Sequence, residues 1–235
     1  MKFDMHVHTI YSRHWFWGID AINTPKEIVD AAIAKGLDGI AVTDHNCVKG
    51  SIVAEKYAKA LGNNFKIITG SEIRSASGDI LALGVREDVM PGMGVEETVE
   101  RIRELGGIAV APHPFSKFIF RQCLGKESAK LDAVEIFNAS NSLFFHNMKA
   151  KAFAEKHNMP VCAGSDSHCT RTLGTAGIIC GSDPIDGIMK KKVEVFGRKA
   201  KRKDMLFLIS KKYGRSIKWK MQRKDRTSIL QTDLK

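Results

Sequence analysis

Short apolar segments alternate with amphipathic segments along most of this chain, and this alternation limits the possible fold more than any other feature. Residues 39–43, 108–111 and 160–163 are brief apolar runs of the kind found in buried strands. Between such runs lie stretches with helical spacing of apolar side chains, including 24–36 and 95–105. Strands that alternate with helices predict an α/β fold with mainly parallel strands.

The first predicted helix has a marked beginning and end. Thr24 and Glu27 have the spacing of a capping box, and Pro25 stands at the first helical position. Gly36 is a typical stop. We therefore expect a helix between Thr24 and Gly36.

Side chains that can bind metals follow five of the predicted strands, close to where each strand ends. Because residues i and i+2 of a strand face the same side, His6 and His8 should point one way together. The same spacing pairs Asp166 with His168. The carboxyl ends of parallel strands meet at one rim of a (β/α) barrel. An open doubly wound sheet also places a site at its strand ends, but a ring collects five separate ends more easily, so we predict a barrel.

These side chains are mostly imidazoles with two carboxylates, a set that suits zinc, manganese or iron better than calcium or magnesium. They outnumber the ligands of one four-coordinate ion, so we expect two or three divalent ions with a bridging carboxylate. The ions would leave a positive surplus for an anion such as phosphate, and a metal-bound hydroxide would be the nucleophile. The candidate ligands are His6, His8, His14, His45, Glu72, His113, Asp166 and His168.

A structural role is the alternative for each of these histidines taken singly. His14 lies among aromatic residues and could stack on them rather than bind a metal. Glu135 and Asn138 belong to another predicted strand, and one of them could reach the site, or both could serve the core. Eight ligand-type residues at the predicted strand ends nevertheless favour a metal site.

Five short motifs occur in a fixed order along residues 1–180. They are Asp4-x-His6-x-His8-Thr9-x-Tyr11-Ser12, Thr43-Asp44-His45, Gly70-Ser71-Glu72, His113-Pro114 and Gly164-Ser165-Asp166-Ser167-His168. Together they resemble the PHP (polymerase and histidinol phosphatase) domain family of metal-dependent phosphoesterases. The resemblance implies a distorted (β/α)7 TIM-like barrel with a trinuclear site at the carboxyl ends of its strands.

Carried over motif by motif, the resemblance implies three ion positions. The first would use His6, His8, Glu72 and Asp166, the second Glu72 and His113, and the third His14, His45 and His168. Family members with three ions usually place a histidine between the glutamate and the second-site histidine. The nearest counterpart in this chain is Asp79, which joins the candidate metal ligands. Many members also have an acidic residue where this chain has Arg13.

The expected activity is hydrolysis of a phosphate ester, with Asp166 and His168 as catalytic residues. Arg171, three residues past His168, could clamp a phosphate bidentately, and so could Arg13; the alternative for each is a solvated loop charge. The substrate would be a small phosphomonoester, a nucleotide or an oligonucleotide. The alternative function is a metal-free, non-catalytic nucleic-acid-binding protein on the same barrel.

The positive charge of the chain is concentrated near its C-terminus. The net charge is +11 overall, whereas residues 186–235 alone carry 17 basic and 5 acidic side chains. We therefore predict a barrel at 1–185 and a basic C-terminal extension at 186–235. The extension could contact nucleic acid or an anionic membrane. Alternatively, it could pack on the barrel through Leu206, Phe207 and Ile209.

Two further features bear on location. No apolar run approaches the roughly 18 residues that span a bilayer, and the first residues do not resemble a signal peptide. The five cysteines include no Cys-x-x-Cys pair, which favours thiols in a reducing compartment. We expect a cytoplasmic protein.

Overall fold

The computed structural model describes residues 1–12, 20–116, 123–141, 144–181, 183–201, 203–204 and 206–211. In this part of the chain, nine strands form one mixed sheet with helices packed against it. The strands are β1 (Lys2–Val7), β2 (Gly39–Val42), β3 (Lys66–Arg74), β4 (Asp79–Leu83), β5 (Ile108–Ala111), β6 (Ala133–Asn138), β7 (Val161–Gly164), β8 (Ala176–Ile179) and β9 (Glu194–Gly197). The helices are α1 (Pro25–Ala34), α2 (Lys49–Ala60), α3 (Val95–Glu104), α4 (Phe144–Lys156) and α5 (Pro184–Met189), with a 3-10 helix at Gly125–Lys130.

The sheet curls into a nearly closed barrel. Its strand order is β7-β6-β5-β4-β3-β2-β1-β8-β9. β7 is an edge strand in this order, but the segments at the ends of β1 and β7 are hydrogen-bonded to each other. There the amide of His8 donates to the carbonyl of Ser167 (2.8 Å), and the amide of Ser167 donates to the carbonyl of His6 (3.3 Å). The distorted α/β barrel predicted from the sequence is therefore confirmed.

The prediction of mainly parallel strands was wrong for half of the sheet. Of the eight pairings between the described strands, four are parallel and four antiparallel. β4 follows β3 through a tight turn, in which the hydroxyl of Ser75 donates to the carbonyl of Gly78 (2.6 Å). A connection this short joins only antiparallel strands. β8 was not predicted; it runs antiparallel to β1 and pairs with β9 on its other side.

The beginning of α1 has the capping geometry expected from the sequence. The amide of Glu27 donates to Oγ1 of Thr24 (3.2 Å), and the amide of Thr24 donates to Oε2 of Glu27 (2.7 Å). Pro25 is the first helical residue. The capping box is confirmed, and the buried side chains of α1, including Ile28, pack against Val42 of β2.

Apolar side chains fill the barrel and also the space between sheet and helices. Phe3, Leu81 and Ile178, from three different strands, belong to one fully buried cluster. Outside the sheet, Ile102 of α3 packs with Ile80 of β4 in another cluster. Buried apolar contact on both faces holds the strands in place, so their ends form a fixed frame for polar side chains.

The part of the basic extension that is described contacts the barrel. β9 belongs to the sheet, and residues 203–204 and 206–211 are helical. Leu208 is buried beside Ile22 and Cys169, with Phe207 packed against them. Of the three apolar residues expected to pack on the barrel, Leu206 and Ile209 are instead 66% and 60% exposed. The division of the chain at residue 185 stays a prediction, and Tyr213 and all later residues lie outside the described part.

No helix in the described ranges combines the length and the apolar character needed to cross a membrane.

Candidate metal centre

Eight of the nine predicted metal ligands lie together at one rim of the barrel. These are His6, His8, His45, Glu72, Asp79, His113, Asp166 and His168. Asp79 reaches the rim because β4 runs antiparallel to its neighbours, so the beginning of β4 lies beside the end of β3. The remaining predicted ligand, His14, lies outside the described residues, as does Arg13.

The first cluster consists of His6, His8, Glu72 and Asp166. The Nε2 atoms of His6 and His8 are 3.1 Å apart and lie 3.4 and 3.3 Å from Oε2 of Glu72. Oδ1 of Asp166 is 3.8 Å from Nε2 of His6 and 3.4 Å from Nε2 of His8. Ligand atoms bound about 2.1 Å from one ion lie roughly 3.0 to 3.4 Å from their neighbours. The two Nε2 atoms and Oε2 of Glu72 thus have the spacing of one coordination shell. Oδ1 of Asp166 has this spacing from His8 but lies slightly too far from His6.

The hydrogen-bond partners of His6 and His8 turn the lone pairs of both Nε2 atoms towards each other. Nδ1 of His6 donates to Oε1 of Glu135 (3.1 Å). Nδ1 of His8 donates to Oγ of Ser12 (3.1 Å), whose own proton is directed to Asp20. A neutral imidazole protonated on Nδ1 has its lone pair on Nε2. Two buried lone pairs at 3.1 Å repel each other unless a proton or a metal ion lies between them, so this geometry fits a bound cation.

The charges of the site also favour a cation. Burial lowers the pKa of His6, but the carboxylates of Asp166, Glu135 and Glu72 outweigh burial and hold that pKa well above its usual range. Burial raises the pKa of Glu72, yet the charges of His45 and His6 hold it well below its usual range. The pKa of His45 rises to about 9 despite burial, chiefly because Glu72 faces it. Positive charge is therefore stabilised here, whether it arrives as protons or as divalent ions.

The second cluster consists of Glu72, Asp79 and His113. Oε1 of Glu72 lies 3.0 Å from Nε2 of His113, while its other oxygen belongs to the first cluster. Glu72 can therefore bridge two ions. The guanidinium of Arg74 pairs with Asp79 and competes with a metal for that carboxylate.

The third cluster consists of His8, Asp20, His45 and His168. Nδ1 of His168 donates to the backbone carbonyl of Asp166 (3.0 Å), and Nε2 lies 2.7 Å from Oδ2 of Asp20, so a proton or a metal ion must lie between these two atoms. The sequence analysis missed Asp20. It follows an aromatic stretch that shows neither strand nor helix periodicity, so no pattern marked it as a ligand.

Backbone strain accompanies two of these candidate ligands. His113 has φ of 31° and Asp166 has φ of 52°, values that residues other than glycine rarely adopt. Such strain persists where the surrounding structure imposes it, and it concentrates at functional sites.

Comparison with known proteins places the chain in a family. A model of the PHP domain matches residues 4–228. The chain belongs to the PHP domain family. Two uncharacterised proteins of Methanocaldococcus jannaschii are similar to it. One is 40% identical over 145 residues, which cover 59% of this chain and 82% of the relative. The other is 31% identical over 185 residues, which cover 76% and 70%.

A 5′-3′ exoribonuclease of Haemophilus influenzae is 36% identical over 72 residues, which are 31% of this chain and 23% of the nuclease. Among solved structures, a two-domain protein of Bacteroides vulgatus that contains a predicted PHP-like metal-dependent phosphoesterase has a TM-score of 0.68 at 18% identity. That match covers 90% of this chain and 69% of the other. An amidohydrolase of Chromobacterium violaceum with bound sulfate has a TM-score of 0.60 at 17% identity and covers 83% and 98%. Both structures share the fold of this PHP domain.

Glu135 and Asn138 support the ligands of this PHP domain. Beyond its bond with His6, Glu135 accepts hydrogen bonds at Oε2 from the amide of His113 (2.8 Å) and from Nδ2 of Asn138 (2.9 Å). Nδ2 of Asn138 also lies 3.3 Å from Oδ2 of Asp166. Groups behind a metal ligand set its orientation and tautomer, so both residues are placed to do this for the candidate ligands His6 and Asp166. The sequence left open whether either one reaches the site.

The first residue of the first motif, Asp4, has a structural role. Its carboxylate accepts hydrogen bonds from the amide of Ser165 (2.8 Å), the hydroxyl of Ser165 and the amide of Gly174 (2.8 Å). Burial raises the pKa of Asp4 to about 6, against the lowering effect of these hydrogen bonds. Asp4 thus ties β1 to the loop that carries Asp166.

Arg171, a predicted substrate ligand, contacts the C-terminal segment. Its guanidinium carbon lies 3.6 Å from the centre of the Phe207 ring and its Nη1 lies 3.9 Å from Oδ1 of Asp204. The side chain is half exposed. Its role towards a substrate stays a prediction, as do the catalytic roles of Asp166 and His168, which lie in the first and third clusters.

Proposed function

We propose that this PHP domain hydrolyses phosphate esters with two or three bound divalent ions of zinc, manganese or iron. One observation carries the proposal: the Nε2 atoms of His6 and His8 converge with oxygens of Glu72 and Asp166 at 3.1 to 3.8 Å. When bound, such ions supply Lewis acidity and a water nucleophile that is active at neutral pH. The donor set of imidazole nitrogens and carboxylate oxygens fits these metals.

The cluster in which each residue lies indicates which ion it would bind. Glu72 has one oxygen in the first cluster and the other in the second, so it would help to hold an ion in each of them. Asp166 would be the fourth ligand in the first cluster, and His168 would bind an ion in the third cluster together with Asp20. Most of these side chains are buried, which strengthens their electrostatic interaction with a phosphate.

A small phosphomonoester, a nucleotide and an oligonucleotide all remain candidate substrates, because the three share the reacting group. The alternative, a metal-free binding protein, is disfavoured by the number of imidazole and carboxylate groups that converge at this rim. The five cysteines are free thiols in the structure, which supports a reducing compartment such as the cytoplasm.

The test is turnover of an aryl phosphate monoester and an aryl phosphodiester by the protein loaded with Mn²⁺ or Zn²⁺. His6→Ala and Asp166→Ala should each lower turnover by more than about 100-fold, because each removes a ligand of the first cluster. His157→Ala is the matched control, since His157 is exposed just after the end of α4 and belongs to none of the three clusters. Full turnover in either folded, metal-loaded ligand variant would reject the proposal.

A further inference from the structure

A groove beside α1 collects basic side chains that take no part in the three clusters. It has a volume of about 630 Å³ and is bounded by the end of α1, the loop after β7 and the segment after β9. The charged residues that line it are Lys35, Arg171, Arg198, Lys201, Lys203 and Asp204. Among the described residues, five cations therefore face one carboxylate.

Two of these cations are engaged by the protein itself. Nζ of Lys35 donates to the backbone carbonyls of Thr170 (2.6 Å) and Leu173 (2.7 Å). The guanidinium of Arg171 stacks on the ring of Phe207. These contacts join the end of α1, the loop after β7 and the C-terminal helical segment, which are elements that surround the groove.

The other three cations have no comparable role. Within the described ranges, the side chains of Arg198, Lys201 and Lys203 form neither hydrogen bonds nor ion pairs, and all three are exposed. Like charges held close together repel one another, and an anion that enters the groove relieves this repulsion. The arrangement therefore favours an anionic ligand.

An anion with several charges along its length suits the groove better than a single phosphate. The three cations are spread over six residues of one segment, and Arg171 lines the groove from another segment. The segment that follows these cations is not acidic, since residues 212–235 carry eight basic and two acidic side chains. It therefore does not provide such a series of negative charges. A nucleic-acid strand presents one phosphate per nucleotide, and Lys and Arg bind such a backbone with release of counterions.

We propose that this groove binds the phosphate backbone of a nucleic-acid strand. Arg171 follows the third-cluster residue His168 by three positions, so a bound strand would run close to the metal centre. Binding in the groove does not depend on the metals. That the bound strand is also a substrate rests on the function proposed above.

The experiment measures binding of a labelled single-stranded oligonucleotide of about twelve nucleotides to the full chain by fluorescence anisotropy. The groove variant combines Arg198→Gln, Lys201→Gln and Lys203→Gln. The affinity falls as salt rises, and each lost phosphate contact should make the plot of log K against log salt less steep by about 0.7. Three contacts should therefore reduce the slope by about 2 and the affinity at 0.1 M salt by about 100-fold.

The control variant removes the same charge elsewhere, through Lys56→Gln, Lys126→Gln and Lys156→Gln. These three lysines are exposed and lie outside the groove. The control should bind the oligonucleotide as the wild type does. Equal weakening of both variants, or a groove variant within threefold of the wild type, would overturn the proposal. The proposal would also be overturned if the groove variant lost binding to vesicles of anionic lipid but bound the oligonucleotide as the wild type does.

Turnover of the aryl phosphate monoester separates this inference from the proposed function. The groove variant should keep wild-type turnover, because the small ester reaches the clusters without the groove. Wild-type protein that binds oligonucleotide through the groove but hydrolyses no phosphate ester would reject the proposed function and leave the groove assignment standing.

Discussion

Glu135→Gln tests whether a carboxylate behind the metal centre sets the tautomer of His6. In the wild type, Oε1 of Glu135 accepts from Nδ1 of His6, while Oε2 accepts from the amide of His113 and from Nδ2 of Asn138. Glutamine keeps the shape but has one acceptor oxygen and one NH2 group. It cannot satisfy all three donors at once.

The structure indicates which arrangement the glutamine should adopt. If its oxygen faced His6, its NH2 group would face the two donors of His113 and Asn138, and leaving buried donors unpaired costs about 1 to 3 kcal/mol each. If its oxygen keeps those two donors, the NH2 group faces Nδ1 of His6, which must then accept. The proton of His6 moves to Nε2, and the imidazole loses the lone pair that the first cluster needs.

Loss of such a supporting group lowers metal affinity by about 10- to 100-fold, or about 1.4 to 2.7 kcal/mol. The affinity is measured by competition with a chromogenic chelator, and the metal content by elemental analysis. Glu155→Gln is the matched control because Glu155 is 66% exposed on α4. Thermal unfolding of the chelated proteins checks that each variant folds. A folded Glu135→Gln protein that binds its first ion as tightly as the wild type would refute this account of the His6 tautomer.

Two further changes test other parts of the site. Asp20→Asn should lower the metal content by about one ion per chain, because it weakens the carboxylate that faces His168 at 2.7 Å; unchanged metal content by elemental analysis would contradict this role. Gly164→Ala should destabilise the protein by about 3 kcal/mol, since its Cβ would lie 2.3 Å from Cβ and 2.7 Å from the amide nitrogen of His6. Gly181→Ala, where a Cβ would have no neighbour within 4 Å, is the control, and equal thermal stability of the two variants would count against close packing of β7 on β1.

Local patterns in the sequence predicted most of the elements. The start of α1 depends on contacts within four residues, between Thr24 and Glu27, so spacing alone was sufficient. β8 was harder to find because it has only four residues, and it becomes a strand by pairing with β1 and β9 on its two sides. Two of the four antiparallel pairings, β3–β4 and β4–β5, follow from the short β3–β4 turn, and the other two come from β8. The alternation of strands and helices did not reveal either one.

The candidate site divides in the same way. The sequence by itself determined that His6 and His8 stand together at the end of β1, because two-residue spacing and strand periodicity are local properties. Asp166 and His168 also follow a strand, β7, but the expected strand periodicity does not hold there, since Asp166 has φ of 52° and the two side chains lie in different clusters. The tertiary structure alone decided that Asp20 faces His168, that Glu135 holds the proton of His6, and that Arg171 stacks on Phe207. Each of these contacts joins residues at least 36 positions apart along the chain, and only closure of the barrel and docking of the C-terminal segment bring them together.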